Sequence, residues 1–304
     1  MDASVSNRRQ FLRFLSSAAV IGSVAPEAFA AKKVSMLTIL HTNDVHSRLD
    51  PFPMDGSRNA GRGGVSRRAT LIRQIRQKQK NVLLFDAGDI FQGTPYFNIY
   101  KGEPEILAMN QLGYDAGTIG NHDFDGGIDN MVTQFGKATF PLLITNYDFG
   151  NTVLDGRTKP YQVFTKDGIR VGVFGLGIRP DGLVPKDAYR ETKYLDPIEI
   201  GNDMAAQLRR EQKCDYVICL SHLGFKYDGP TVSDTVLAAQ TRHIDGIIGG
   251  HTHTFLDAPV TVNNADGQPV WINQVGFAGI NLGRIDLTFE RGKATAAGQS
   301  VEVK

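Results

Sequence analysis

Short apolar runs alternate with amphipathic stretches along most of the chain, and this alternation is typical of an α/β domain. The apolar runs have strand length and predict strands at 34–40, 82–85, 116–119, 141–145, 171–176, 216–220 and 246–248. The amphipathic stretches between them predict helices at 65–78, 104–112, 128–136, 198–212 and 232–241. The hydrophobic pattern therefore predicts parallel strands joined by helices.

The pattern changes to period two after residue 259, which predicts strands joined by a hairpin. Residues 260–263 and 269–273 flank the turn Asn264-Ala265-Asp266-Gly267, and two further strands are expected around 282–290 and 294–303. No Pro/Ser-rich linker or charge block interrupts residues 31–304. We therefore expect one continuous domain over 31–304.

The composition is that of a soluble globular protein, with 41% hydrophobic and 21% charged residues among 304. The formal net charge is only +1. A nucleic-acid polymer is therefore not the expected partner, because binding a phosphate backbone needs a clustered excess of Lys and Arg. The two cysteines, Cys214 and Cys219, are too few for a disulfide framework. Their spacing puts them on opposite faces of an extended strand, so we expect both to be free packing residues.

Residues 1–30 have the features of a twin-arginine signal peptide. Arg8-Arg9 precedes an uncharged run of 12 residues, and Ala28-Phe29-Ala30 resembles a cleavage site. The run is too short to span a bilayer, which needs about 20 residues, and no Cys lies near the cleavage site to form a lipid anchor. We expect twin-arginine export to the periplasm without a membrane anchor; the alternative is a buried N-terminal helix.

Five of the predicted strands are each followed by a cluster of Asp, Asn or His. The clusters contain Asp44 and His46, Asp89, Asn121 with His122 and Asp123, His222, and His251 with His253. Because functional groups collect at the carboxyl ends of strands in an α/β sheet, we expect the clusters to converge. Imidazoles and carboxylates suit Zn²⁺, Mn²⁺, Fe and Co²⁺, and seven candidate ligands among these nine residues exceed the four of one tetrahedral ion. The sequence thus predicts two divalent metal ions sharing a carboxylate, an arrangement that recurs in phosphate-ester hydrolysis.

These clusters, in this order, resemble the signature blocks of the calcineurin-like metallophosphoesterases. The words around Asp44, Asp89 and Asn121 further resemble the catalytic domain of bacterial 5′-nucleotidase/UDP-sugar hydrolase proteins. The resemblance implies a single-domain, four-layer α-β-β-α sandwich with mixed sheets. It also implies a ligand assignment and a metal-bridging hydroxide as nucleophile. One ion would be held by Asp44, His46, Asp89 and His253, and the second by Asp89, Asn121, His222 and His251.

The resemblance gives His122 a role apart from the metals. It implies that His122 faces the phosphate and stabilises the transition state or protonates the leaving oxygen, while Asp125 orients its imidazole. A helix N-cap before Ile128 is the alternative for Asp125. Asp123 is expected to support a ligand rather than to bind metal.

The resemblance covers a catalytic domain whose relatives carry a C-terminal domain for nucleotide binding. We therefore expect a phosphomonoesterase acting on small phosphoesters, above all nucleotides, with two alternatives for how specificity arises. A separate polypeptide could supply the C-terminal domain, or the enzyme could act alone on a broader set of esters. The second enzymatic hypothesis is a phosphodiesterase or pyrophosphatase acting on cyclic nucleotides, UDP-sugars or NAD. The non-enzymatic hypothesis is a binding or regulatory subunit. Candidate substrate contacts are Arg58 and Arg62 in the loop 47–64 and the aromatic residues Phe91, Tyr96, Phe97 and Tyr100.

Overall fold

Two β-sheets packed face to face organise residues 34–304, which are the residues that the computed structural model describes. The expected signal peptide, 1–30, lies outside the described residues. The strands are β1 Ser35–Thr42, β2 Val82–Asp86, β3 Ala116–Gly117, β4 Tyr147–Asp148, β5 Tyr161–Lys166, β6 Ile169–Leu176, β7 Lys193–Tyr194, β8 Tyr216–Ser221, β9 Gly246–Gly249, β10 Val260–Asn263, β11 Pro269–Asn273, β12 Asn281–Glu290 and β13 Lys293–Glu302. The first sheet has the order β13-β12-β1-β2-β3 and the second β10-β11-β9-β8-β6-β5, while β4 and β7 pair separately.

Both sheets are mixed. Parallel pairing joins β1, β2 and β3 in the first sheet and β6, β8, β9 and β11 in the second. Antiparallel strands extend the edges, including the hairpin β10–β11 that the sequence predicts. The polar clusters follow the carboxyl ends of five of these strands, β1, β2, β3, β8 and β9.

Successive side chains of the central strands point to opposite faces of the sheet, so one set packs between the two sheets and the other packs in a second core on the outer face of each sheet. In β8, Ile218 and Leu220 pack between the two sheets, whereas Val217 and Cys219 pack against helices on the outer face. All four side chains are fully buried. The inner strands are therefore apolar on both faces, which explains why they read as continuous apolar runs in the sequence.

Helices cover the outer face of each sheet and complete the four-layer α-β-β-α sandwich that the resemblance implies. The helices are α1 Val65–Lys78, α2 Pro95–Tyr100, α3 Glu103–Leu112, α4 Ile128–Phe135, α5 Lys186–Tyr189, α6 Pro197–Arg210 and α7 Asp234–Gln240. Helices α1, α3 and α4 pack on the first sheet, and α6 and α7 on the second. Helix α6 begins at an Asp196 cap, whose side chain accepts hydrogen bonds from the backbone N–H groups of Ile198 and Glu199.

Apart from the bounds of the elements, two of the predicted features differ from the structure. The apolar run 141–145 makes only isolated bridges, at Leu142 and Leu143, because β3 beside it offers only two residues for pairing. Cys214 and Cys219 are free and buried as expected, but both pack in the outer core of the second sheet. The opposite-face argument fails because Cys214 precedes β8.

Among the described residues, no helix combines the length and the apolar character that crossing a membrane requires.

Candidate metal centre

The carboxyl ends of strands from both sheets meet at one edge and bring the five polar clusters together. Strands β1, β2 and β3 come from the first sheet, and β8 and β9 from the second. The six Asp and His residues expected to bind metal form two neighbouring triads. One triad is Asp44, His46 and His253, and the other is Asp89, His222 and His251; within each, the ligand atoms lie within 4.8 Å of one another.

The Asp89 carboxylate reaches both triads. Its Oδ2 lies 3.1 Å from Nε2 of His222 and 3.8 Å from Nε2 of His46. Within the first triad, Oδ1 of Asp44 lies 3.4 Å from Nε2 of His253. One carboxylate oxygen is therefore positioned to serve two ions, as a dinuclear site requires.

The seventh expected ligand, Asn121, lies beside the second triad. Its side-chain oxygen is 2.8 Å from Nδ1 of His251. An amide oxygen and an imidazole nitrogen so close together can share one ion. All seven residues that the resemblance implies as ligands are thus gathered at this edge.

Five of these seven residues hold backbone conformations in the left-handed region, which side chains with a Cβ seldom adopt. The φ angles are 51° for Asp44, 51° for His46, 56° for Asp89, 71° for His251 and 52° for His253. Each such residue costs on the order of 1–3 kcal/mol unless the surroundings hold it. Backbone strain concentrated at the proposed ligands is typical of a functional site.

Backbone carbonyls orient two of the imidazoles toward the centre. Nδ1 of His222 donates to the carbonyl oxygen of Ala87 at 2.7 Å, and Nδ1 of His46 lies 3.3 Å from that of Phe91. With Nδ1 engaged, Nε2 is the nitrogen left to bind a metal. Nε2 of His222 is fully buried, and Oδ2 of Asp89, 3.1 Å away, pairs with it by charge rather than in hydrogen-bond geometry, so the residues fit a divalent metal ion.

Charge is concentrated at the second triad. Burial alone would raise the pKa of Asp89, but the imidazole of His222 outweighs it and lowers that pKa. Burial likewise lowers the pKa of His222, yet the carboxylate of Asp89 raises it to about 10. Burial lowers the pKa of His251 to about 4 and keeps that imidazole neutral. A divalent cation would replace the proton on His222 as the charge that balances the carboxylates.

His122 lies beside the two triads without belonging to either. Its ring centroid is 5.2 Å from that of His46. Nδ1 donates to Oδ2 of Asp125 at 2.8 Å, and this hydrogen bond raises the pKa of His122. Helix α4 is capped by Gly127, so the capping alternative for Asp125 is wrong.

Asp123 is fully buried and ties together the two loops that carry Asp89 and Asn121. Its Oδ1 accepts from the N–H groups of Ile90 at 2.9 Å and Phe91 at 3.2 Å. Its Oδ2 accepts from those of Gly120 at 2.8 Å and Asp89 at 3.1 Å. We call this set of four hydrogen bonds the Asp123 clamp.

Asn43 is a supporting residue that sequence reasoning missed. Its Nδ2 donates to Asp44 Oδ2 and to the carbonyl oxygen of Gly276, both at 2.6 Å. The strand-end cluster contains Asn43, but no sequence signal ties it to Gly276, which lies 233 residues away.

An aromatic ring supports the first triad from outside. Phe277 stacks on the imidazole of His253, with centroids 5.2 Å apart and the planes at 14°. It was likewise not expected from the sequence, because nothing in the pattern around residue 277 distinguishes it from a packing residue.

The expected substrate contacts divide into packing residues and surface residues. Phe91 is buried and stacks on Phe97, and Arg62 pairs with Glu302 at 2.8 Å. Arg58 and Tyr100 are exposed.

The family profile described as calcineurin-like phosphoesterase matches residues 37–255, most of the chain. The chain belongs to the calcineurin-like phosphoesterase family. Two divalent metals are the cofactors of this family, and the two triads supply the side chains to hold them.

Similar proteins include nucleotidases of several organisms. Snake venom 5′-nucleotidase of Naja atra is 35% identical over 283 residues, which are 86% of this chain and 52% of that protein. The trifunctional nucleotide phosphoesterase YfkN of Bacillus subtilis is 32% identical over 84% of this chain and 18% of its own length. A crystal structure of the 5′-nucleotidase precursor of Thermus thermophilus superposes with a TM-score of 0.79 and 31% identity, covering 88% of this chain and 55% of that one. The chain thus spans about half the length of the first 5′-nucleotidases that it resembles.

Proposed function

We propose that the chain is a dinuclear metal-dependent phosphomonoesterase of the 5′-nucleotidase type that hydrolyses nucleoside monophosphates. The observation that carries the proposal is the pair of triads sharing Asp89, with the His122–Asp125 pair directly beside them. The similarity to 5′-nucleotidases supports the choice of substrate. Asp44, His46, Asp89 and His253 would hold one ion, and Asp89, Asn121, His222 and His251 the other.

His122 supplies the proton to the leaving oxygen. Asp125 fixes the tautomer by holding Nδ1, so Nε2 is the nitrogen left to meet the reacting phosphoester. The same hydrogen bond raises the pKa of His122, which favours the imidazolium that donates the proton. When bound, the divalent ions lower the pKa of water and neutralise the charge that develops on the phosphate.

Two substitutions separate metal binding from proton transfer. In Asp89→Ala we expect loss of both metal and phosphate release, because the shared ligand is gone. In His122→Ala we expect two bound ions per chain and a turnover lower by about 10²–10⁴-fold, the usual contribution of a general acid. Metal content and phosphate release from a panel of nucleotides and other phosphoesters are measured on the same samples.

A metal-loaded protein that releases no phosphate from any ester of the panel contradicts the function. Loss of metal in His122→Ala contradicts the role assigned to that residue.

We further propose that the protein is exported by the twin-arginine pathway to the periplasm, on the strength of Arg8-Arg9 and the run that follows. Replacing both arginines by lysine should retain the protein in the cytoplasm of a bacterial host, as fractionation and immunoblotting would show. Processing and export of the variant at the wild-type level would contradict the proposal.

A separate polypeptide carrying a nucleotide-binding domain is the proposed partner. Its addition should lower the KM for nucleotides without changing the turnover of a small ester. Equal KM values with and without such a domain would exclude it.

A further inference from the structure

The loop 250–254 carries one proposed ligand for each of the two ions. His251 belongs to the second triad and His253 to the first. Both residues have left-handed backbones, with φ angles of 71° and 52°. Such conformations persist only where the surrounding structure holds them. The loop therefore needs contacts from outside it to keep one imidazole at each triad.

The side chain of Gln274 provides such contacts. Its Nε2 donates to the carbonyl oxygen of Gly250 at 2.6 Å, directly before the first histidine of the loop. Its Oε1 accepts from the backbone N–H of Thr254, directly after the second histidine. The same Oε1 accepts from the hydroxyl of Thr252 at 3.1 Å, between the two. One side chain thus holds the loop before, between and after its two proposed ligands.

Strand pairing places Gln274 beside this loop. Gln274 directly follows β11 Pro269–Asn273, and the loop directly follows β9 Gly246–Gly249. The two strands pair in parallel, with Asn273 opposite Ile248. Because parallel neighbours end at the same edge of a sheet, the residue after β11 lies next to the loop after β9.

The three hydrogen bonds of Gln274 to the loop require an amide. An amide has a donor at one end and an acceptor at the other, whereas an ionised carboxylate has no donor. Gln274 is fully buried, so no water takes the place of a bond that is lost. A glutamine at this position is therefore matched to both ends of the loop.

We propose that Gln274 is a positioning residue of the metal centre, which prearranges the loop 250–254 so that His251 and His253 each meet a different ion. The inference rests on the proposed function and adds to it a determinant of metal binding outside the proposed ligands. Because the loop serves both ions, loss of the Gln274 amide should weaken the binding of both.

The test replaces Gln274 by Met, which keeps the length of the side chain and removes its hydrogen bonds to the loop. Chelator-treated protein is titrated with Mn²⁺ by calorimetry, below the melting temperature that circular dichroism gives for each protein. We expect both Mn²⁺ dissociation constants to rise by about 10–100-fold, the usual effect of removing a partner that orients metal ligands.

Gln134→Met is the matched control. Gln134 is also a buried glutamine, but it lies in α4 and donates to Asn130 of the same helix. Its replacement removes a buried amide without touching the loop 250–254. We expect the wild-type Mn²⁺ constants in this variant, whatever its melting temperature.

The electron paramagnetic resonance spectrum of the Mn²⁺-loaded protein separates positioning from stability. Two Mn²⁺ ions that share a carboxylate ligand are magnetically coupled, and the coupling depends on how the ligands place them. At saturating Mn²⁺ we expect an altered coupling in Gln274→Met and the wild-type spectrum in Gln134→Met. A lower melting temperature alone would leave the coupling unchanged.

Thr252→Val carries the test if Gln274→Met does not fold. It keeps the size of the side chain and removes the hydroxyl that donates to Gln274. We expect both Mn²⁺ constants to rise, by less than in Gln274→Met, because the bonds of Gln274 to Gly250 and Thr254 remain. Wild-type constants in this variant would then overturn the inference.

The outcomes distinguish the inference from the function. If the wild type binds two Mn²⁺ ions and Gln274→Met keeps its constants and its coupling, or weakens one ion only, the inference is wrong and the function stands. If Gln274→Met behaves as expected but the wild type releases no phosphate from any ester, the function fails and the positioning role stands. A wild type that binds fewer than two ions overturns both.

Discussion

Replacing Asp123 by Asn should weaken metal binding without touching a proposed ligand. The substitution preserves size but turns one of the two acceptors of the Asp123 clamp into an NH₂ group. Two buried backbone N–H groups, on either Oδ1 or Oδ2, then face a donor instead of an acceptor. Each buried group left without a partner costs about 1–3 kcal/mol, so we expect the free energy of unfolding to fall by about 3 kcal/mol.

The loss should be visible in both stability and metal content. For a protein of this size, about 3 kcal/mol lowers the melting temperature by roughly 6–12 °C. Burial raises the pKa of Asp123 to about 7. The measurement is therefore made at pH 8, where the wild type carries a carboxylate. Thermal unfolding is followed with chelator and with added Mn²⁺, and bound metal is counted by elemental analysis.

Asp228→Asn, an exposed carboxylate in a loop, is the matched control and should behave as the wild type. The reasoning is refuted if Asp123→Asn melts within about 1 °C of the control and keeps both ions. Asp123→Ala is less informative, because four unpaired N–H groups would cost an amount comparable to the whole stability of about 5–15 kcal/mol.

Further expectations concern packing around the same centre. Gly120→Ala should strip metal and lower the melting temperature, since a Cβ there would overlap the shared carboxylate ligand, whereas Gly229→Ala, in open space, should do neither. Phe277→Ala should weaken binding of one metal ion more than of the other, by about 10-fold in a metal titration, because it removes the ring stacked on a histidine of one triad only; equal loss at both sites would contradict this. The melting temperature should be the same with and without reductant, because Cys214 and Cys219 are free; a shift of several degrees would reveal a disulfide between them.

The central strands and helices could be predicted because their hydrophobic patterns are strong. The predicted bounds of the helix Val65–Lys78 match the structure, and those of β8 Tyr216–Ser221 differ by one residue. Strand β5 Tyr161–Lys166 was missed, although the following Asp167-Gly168 is a hairpin signal that could have revealed it. The two-residue strands β4 and β7 carry no readable periodicity, because they exist only through pairing with each other.

The candidate site was predictable as a set of residues but not as an arrangement. The position of Asp89 after β2 and that of His222 after β8 follow from strand ends, which the sequence reveals. The Asp123 clamp, the contact of Asn43 with Gly276 and the stacking of Phe277 depend on how distant loops meet. Apart from the bond between Gly120 and Asp123, these contacts join residues 24 to 233 positions apart along the chain, and one sequence carries no signal for them.

The distribution of the proposed ligands over both sheets has a consequence for folding. Asp44 lies in the first strand loop and His253 follows β9 of the second sheet, so more than 200 residues must be arranged before the first triad closes. Contacts of such long range form slowly, because loop-closure entropy opposes them until most of the chain is in place. Neither sheet alone would offer a complete set of ligands. Metal uptake should therefore report the completed packing of the two sheets, and its free energy would favour the native state over every partly folded form.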